Sequence, residues 1–110
     1  MKQKDICLVD LNPIKGSEQS GVRPVIIISG DTMNEHLGVC IICPLSGKVK
    51  HYASCVVIKK SAKNKLTQDS EAIPFQIRTV SKERFIKKVG EITSDELEQI
   101  FQGLSDVLRY

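Results

Sequence analysis

No apolar run in this sequence approaches the roughly 20 residues that a membrane-spanning helix needs. The first residues, MKQKDICLVDL, include an acid at Asp5 and few apolar residues, so they make a poor signal peptide. No repeat, low-complexity tract or long linker divides the 110 residues, which predicts one domain over residues 1–110. These absences argue against membrane and secreted proteins and leave a cytoplasmic protein without a membrane partner as the expectation.

Several motifs of well-known enzyme classes are also absent. The sequence has no GxxxxGK[ST] phosphate-binding loop, no GxGxxG dinucleotide fingerprint, no HExxH zinc motif and no GxSxG nucleophile elbow. It has only two histidines, His36 and His51, and both lie in polar connections. Histidine is the usual acid or base near neutral pH, but a histidine in an exposed loop is more often an ordinary surface residue.

The cysteines predict packing rather than metal or redox chemistry. Four are present, and two of them form Cys40-x-x-Cys43 inside GVCIICPL, a continuous run typical of a buried strand. Side chains three apart on a strand point to opposite faces, so these two thiols cannot share one zinc ion. We therefore expect reduced thiols in the core and no metal or other cofactor.

The charge of the chain is unevenly distributed. The net charge is +3, but residues 91–110 hold five acids against Arg109 and sum to −4, which leaves +7 on residues 1–90. A basic body favours an anionic partner such as nucleic acid, although a lysine-rich solvated surface would give the same count.

The apolar pattern predicts a mainly β protein that ends in a helix. Short apolar runs predict strands near 6–11, 24–29, 39–45, 54–60, 71–80 and 84–92, the fifth interrupted by Pro74. Thr93 and Glu96 have the spacing of a capping box, and an apolar face follows at Leu97, Ile100, Phe101, Leu104, Val107 and Leu108. Five or six short strands and one amphipathic helix predict a small, curved β-barrel or sheet capped by that helix.

The connection between the first two predicted strands contains an arginine in addition to the glycines and prolines typical of a turn. The stretch DLNPIKGSEQSGVRPVIIIS, residues 10–29, has glycines that permit a close backbone approach, and it ends in Arg23-Pro24. The proline favours extended backbone at Arg23, whose guanidinium is a planar fork of donors suited to phosphate. Arg23 could equally well form an ion pair with Glu18 or Asp10 that only stabilises the loop, and the sequence does not distinguish this role from phosphate binding.

Three blocks of this sequence resemble the MazF/PemK (Kid) toxin family, in the family's order. The stretch VDLNPIKGSEQSGVRPVIIIS is similar to the family's N-terminal motif, CPLSGKVK to its strand-to-loop segment, and DSEAIPFQIRTVSKERFIKKVGEI to the block ahead of its terminal helix. The resemblance implies a small SH3-like barrel of the MazF/Kid/CcdB type with a C-terminal amphipathic helix.

The resemblance also implies an activity and partners. Members of this family are metal-independent endoribonucleases that cleave single-stranded RNA by attack of a 2′-hydroxyl, which leaves a 2′,3′-cyclic phosphate and a 5′-hydroxyl. It further implies a homodimer, a cognate MazE-like antitoxin, and operator DNA bound only through the antitoxin complex. An acidic, partly disordered antitoxin would suit the basic body.

The residues expected to act follow from matched positions. Arg23 is the arginine before proline in the motif, and Ser46 occupies the position of a threonine in MazF-type members, so both are expected to be catalytic. The hydroxyl of serine can donate to a phosphate as threonine does. Residues expected to contact RNA are Glu18, Gln19, Gln76, Lys48 and Lys50.

This sequence departs from the family at two further positions. Where Kid-type members have an arginine and an aspartate as acid and base, it has Ile73 and Phe75, so catalysis is expected to rest on Arg23 and Ser46. Two alternatives stay open: a CcdB-like gyrase poison, although the ending VLRY is a weak match, and a catalytically inactive relative that binds nucleic acid or antitoxin.

Overall fold

The computed structural model describes residues 1–12, 16–17 and 21–110. These residues form seven strands, two α-helices and two 3-10 turns. In chain order they are β1 (Asp5–Asp10), β2 (Val22–Ile27), α1 (Asp31–His36), β3 (Val39–Ser46), β4 (Val56–Ile58), β5 (Ser70–Ala72), a 3-10 turn at Pro74–Gln76, β6 (Arg78–Ser81), a 3-10 turn at Lys82–Arg84, β7 (Phe85–Glu91) and α2 (Ser94–Arg109). The predicted strands and terminal helix are therefore present, with ends shifted by a few residues.

The strands pair antiparallel in the order β4-β5-β3-β2-β1-β7, and β6 pairs with β3. One edge of β3 faces β2, and its other edge is shared by β6, which pairs with residues 39–42, and β5, which pairs with residues 45 and 46. This confirms the mainly antiparallel β fold with a C-terminal helix. The pairings among the described strands give an open path, so closure into a barrel stays a prediction.

The segment predicted as one interrupted strand over residues 71–80 is two strands. Proline has no amide hydrogen and cannot extend a ladder, and the chain turns at Pro74–Gln76 between β5 and β6. The predicted strand over residues 54–60 shortens to β4, since residues 47–55 form an irregular connection in which His51 and Ser54 have φ of 55° and 73°.

Side chains of alternate strand residues pack into two separate apolar clusters. The first cluster lies between the sheet and α2 and includes Ile26, Cys43, Leu45, Ile58, Ile92 and Ile100. The second cluster lies on the other face of β1, β2, β3 and β6 and includes Val9, Val25, Ile27, Cys40, Ile42 and Val80. Cys40 and Cys43 are in different clusters, which confirms that they point to opposite faces.

The helix α2 begins with the predicted capping box. The Thr93 hydroxyl accepts from the Glu96 amide at 3.1 Å, and the Glu96 carboxylate accepts from the Thr93 amide at 2.8 Å. Leu97 and Ile100 are buried in the first cluster, whereas Leu108 near the end of the predicted face is 76% exposed. A Cβ built at Gly103 would lie 2.2 Å from the carbonyl oxygen of Ser54, so glycine lets the helix touch the connection before β4.

The turn before β1 contains a non-glycine residue with positive φ. Lys4 has φ of 81°, in the left-handed region that glycine adopts most easily. The next residue, Asp5, is buried, accepts from the Lys2 amide at 3.0 Å and lies 3.2 Å from the Lys88 ammonium.

In the described part of the chain, neither helix is long and apolar enough to cross a bilayer.

Candidate functional site

Arg23 and Ser46 lie side by side on neighbouring strands. The β2–β3 ladder pairs Val25 with Pro44, and Arg23 and Ser46 each lie two residues beyond that pair on their own strand. Side chains two residues apart on a strand share one face, so Arg23 and Ser46 point to the same face of the sheet. Both residues line one open cavity of about 540 Å³, together with Gly47, Lys48, Lys50 and Gln68. The structure thus brings together the two residues that the sequence predicts as catalytic.

The hydroxyl of Ser46 also organises the turn that follows β3. Its oxygen accepts from the Lys48 amide at 3.2 Å and lies 3.4 Å from the Lys48 carbonyl oxygen. This contact directs the chain back along the cavity wall, so Lys48 and Lys50 line the same space as Arg23. Three cationic side chains at one cavity make it suitable for phosphate.

A second cavity of about 660 Å³ adjoins the first and shares Ser46, Lys48 and Lys50 with it. We call the two together the groove, the first being its cationic compartment and the second its aromatic compartment. Tyr52 and Phe75, each about half exposed, meet edge to face in the aromatic compartment with ring centroids 6.2 Å apart. The Lys50 ammonium lies 5.8 Å from the centroid of Tyr52, within the range of a cation–π contact.

Ile73 and Phe75 both line the aromatic compartment, so the positions of the Kid-type acid and base do face the groove in this fold. Here they supply apolar surface and no titratable group. The two histidines belong to different parts of the chain, and neither lines the groove as described. His36 ends α1, where its Nδ1 is 2.8 Å from the Thr32 carbonyl oxygen, and His51 is exposed in the connection after β3.

The connection between β1 and β2 reaches the groove through Ser17. Gln76 lines the aromatic compartment, and its side-chain amide donates to the Ser17 carbonyl at 3.2 Å. At the base of the connection, Leu11 and Gly21 share a backbone hydrogen bond of 3.0 Å, and Gly21 has φ of 75°. Glu18 and Gln19, the remaining predicted RNA contacts, lie outside the described residues.

Two arginines of the third sequence block hold the same connection at its start. Arg78 donates to the Leu11 carbonyl at 3.3 Å, and Arg84 donates to the carbonyls of Asp10, at 3.2 Å, and Asn12. The Asn12 side chain in turn accepts from the Gly21 amide at 3.1 Å. These bonds fix the ends of the connection relative to the strands that bear the groove.

Sequence reasoning missed Glu71, which lines the aromatic compartment from β5. Glu71 pairs with Ser46 on β3, and its side chain is almost completely buried, with 2% of its surface exposed. Its Oε1 accepts from the Lys50 amide at 3.3 Å, and its buried Oε2 has no hydrogen-bond partner among residues 1–12, 16–17 and 21–110. An acid inside a predicted strand was the only signal in the sequence, and that signal does not reveal which cavity the strand faces.

The thiols are held in their neutral form by burial. Desolvation raises the pKa of Cys43 to about 12 and that of Cys7 to about 11. Desolvation also raises the pKa of Cys55 to about 11, and the negative charge of Glu71 adds to that rise. No three potential metal ligands come together within the described ranges.

Comparisons with known proteins agree on one family. Residues 2–108 match the family described as PemK-like, MazF-like toxin of type II toxin–antitoxin system. The chain is 36% identical over 102 residues to the endoribonuclease MazF of Staphylococcus saprophyticus, covering 91% of this chain and 84% of that protein.

Solved structures show the same fold at lower identity. MazF from Deinococcus radiodurans superposes with a TM-score of 0.87 at 20% identity, covering 100% of this chain and 97% of that one. A mycobacterial endoribonuclease solved in complex with its cognate antitoxin superposes with a TM-score of 0.80 at 20% identity, covering 98% and 94%. The chain belongs to the PemK-like, MazF-like toxins of type II toxin–antitoxin systems and is a homologue of the endoribonuclease MazF.

Proposed function

We propose that this toxin cleaves single-stranded RNA at specific sequences, without the ribosome and without a metal ion, and that Arg23 and Ser46 hold the scissile phosphate. The observation that supports this most directly is the placement of both residues on adjacent strands at one cationic cavity. Family membership supports the reaction class.

In the proposed reaction the ribose 2′-oxygen attacks the adjacent phosphorus. The 2′-hydroxyl loses its proton, a new O–P bond forms, the bond from phosphorus to the 5′-oxygen breaks, and the leaving 5′-oxygen gains a proton. The products are a 2′,3′-cyclic phosphate and a 5′-hydroxyl. Negative charge grows on the non-bridging oxygens during this step, and donors already in place, as on Arg23 and Ser46, stabilise it most effectively.

The rest of the groove would bind the RNA on either side of the scissile phosphate. Lys48 and Lys50 line both compartments and are suited to flanking phosphates. Gln76 lines the aromatic compartment, where its side-chain amide is suited to hydrogen-bond an unstacked base. Contacts from Glu18 and Gln19 stay predictions from the family motif.

Cleavage of a long, unstructured RNA by purified protein in EDTA tests the proposal. We expect fragments whose 5′ ends accept phosphate from polynucleotide kinase without prior phosphatase treatment, because those ends carry free hydroxyls. Sequencing those ends gives the recognition sequence. RNA that stays intact with folded wild-type protein would overturn the proposal, and DNA breaks linked to gyrase in that case would favour the CcdB-like alternative.

Partners form the second part of the proposal. Toxins of the same fold have been solved with their antitoxins, which supports a cognate MazE-like antitoxin for this cytoplasmic toxin, with operator DNA bound only by the complex. The homodimer is proposed from the family alone. Analytical ultracentrifugation of the purified chain would give twice the 12.2 kDa chain mass if it is correct.

A further inference from the structure

The groove joins two chemically different compartments at Ser46. The cationic compartment is suited to a phosphate, whereas the aromatic compartment has two half-exposed rings and the carboxylate of Glu71. Because Glu71 is the cross-strand partner of Ser46, the carboxylate lies next to the proposed phosphate position. A nucleotide whose phosphate sits at Arg23 and Ser46 would therefore place its own or the next base in the aromatic compartment.

One oxygen of the Glu71 carboxylate, Oε2, has no hydrogen-bond partner in the part of the chain that the structure describes. A buried carboxylate oxygen without a hydrogen bond is costly, and most such groups in proteins are paired. Oε1 is already paired with the Lys50 amide, which also ties the connection after β3 to the floor of the groove. Oε2 lacks a partner in the described chain, so a donor from a bound ligand would complete it.

The rings that line the same compartment as Glu71 favour a nucleobase as that ligand. Bases of single-stranded nucleic acid stack on aromatic side chains, and Tyr52 and Phe75 present such surfaces at the mouth of the compartment. Adenine, cytosine and guanine each offer an exocyclic amino group as a donor. Uracil has carbonyl oxygens on both sides of its one N–H group, and these oxygens would face the carboxylate unfavourably.

We propose that Glu71 is a specificity residue that accepts a hydrogen bond from the amino group of a base stacked in the aromatic compartment. One position beside the scissile phosphate would then accept adenine, cytosine or guanine and exclude uracil. This inference rests on the proposed endoribonuclease function and adds to it the class of base that the groove selects.

The substitution Glu71→Gln tests this with little change in shape. The glutamine Oε1 can still accept from Lys50, while an amide nitrogen replaces the unpartnered oxygen and donates instead of accepting. We expect the variant to cleave sites with uracil at the selected position. For two oligonucleotides that differ only there, the ratio of kcat/KM values should change by about tenfold or more, because one base contact is reversed.

A second variant separates stacking from recognition. Tyr52 is half exposed, so Tyr52→Ala should fold, lose about tenfold in affinity for every RNA and keep the wild-type base preference. Circular dichroism of both variants checks the fold. An unchanged base preference in Glu71→Gln would overturn the inference. A folded Glu71→Gln protein that cleaves no RNA under conditions where wild-type protein cleaves it would also overturn the inference, since that result assigns Glu71 to chemistry.

Binding measurements distinguish failure of this inference from failure of the proposed function. Fluorescence anisotropy with short 2′-O-methyl oligonucleotides, which cannot react, reports base preference without cleavage. If wild-type protein discriminates against uracil in binding and Glu71→Gln does not, the inference stands even when the wild-type protein itself cleaves no RNA. If wild-type protein binds all four bases equally, the inference fails even when RNA is cleaved.

Discussion

Arg23 and Ser46 should act on one phosphate as a unit, and a double-mutant cycle can measure this. Loss of one charged, preorganised donor costs about 100-fold or more in rate, which we expect for Arg23→Ala. Loss of one neutral hydrogen bond costs about 1 kcal/mol, or about fivefold, which we expect for Ser46→Ala. Independent effects would multiply to about 500-fold in the double variant.

The structure predicts a smaller loss than that product. The two residues lie on neighbouring strands and line one cavity, so a phosphate no longer held by the guanidinium is also poorly placed for the serine hydroxyl. We expect the double variant to lose little more than Arg23→Ala alone, which is a coupling of about 1 kcal/mol. Single-turnover cleavage of a short oligonucleotide with one site gives the rate of each variant.

Two conservative variants serve as controls for the cycle. Ser46→Thr keeps the hydroxyl, and with it an acceptor for the Lys48 amide, and should retain wild-type activity. Arg23→Lys keeps the charge without the planar fork and should fall between wild type and Arg23→Ala. A double variant that loses the full 500-fold product, or an Arg23→Ala protein within a few-fold of wild type, would refute this account of the site.

Two further predictions concern the scaffold. Gly103→Ala should lower the free energy of unfolding by about 1–3 kcal/mol in urea titrations, because its Cβ would meet the Ser54 carbonyl, although alanine normally favours a helix. Gln99→Ala on the exposed face of the same helix should change the free energy of unfolding little. Equal stability of the two variants would contradict this packing. Cys55 should react with a thiol reagent at pH 8 about 100-fold more slowly than an unperturbed thiol, since its raised pKa leaves little thiolate. Rapid labelling of Cys55 in the native protein would show that the thiol is not held neutral.

Local patterns in the sequence were enough to predict most elements of the fold. Continuous apolar runs predicted the strands, and the Thr93–Glu96 spacing predicted the helix start, because strand burial and helix capping depend on neighbouring residues. The interruption at Pro74 was predicted, but the 3-10 turn that separates β5 from β6 was not, and neither was the length of β4. These two features depend on how the connection after β3 and the 3-10 turn fit against α2, which no local pattern encodes.

The candidate site was predicted only in part. Motif similarity identified Arg23 and Ser46, and side-chain chemistry suggested Lys48, Lys50 and Gln76. The structure gathers all five at the groove. Glu71 could not be found in this way, since its position at the groove depends on β5 pairing with β3 rather than on adjacent residues. Tyr52 was likewise missed, because an exposed tyrosine in a polar connection has no distinguishing local pattern.

The register between β2 and β3 determines both the packing of the second apolar cluster and the side of the sheet on which Arg23 lies. Val25 and Ile27 reach the second apolar cluster on the same face of β2 as Arg23. Since side chains alternate between faces, a slip of one residue would expose those two residues and turn Arg23 towards the opposite core. Misregistered chains would thus be unstable and would also lack the groove. Proteolysis of unstable chains would therefore remove the chains in which Arg23 faces the wrong side of the sheet.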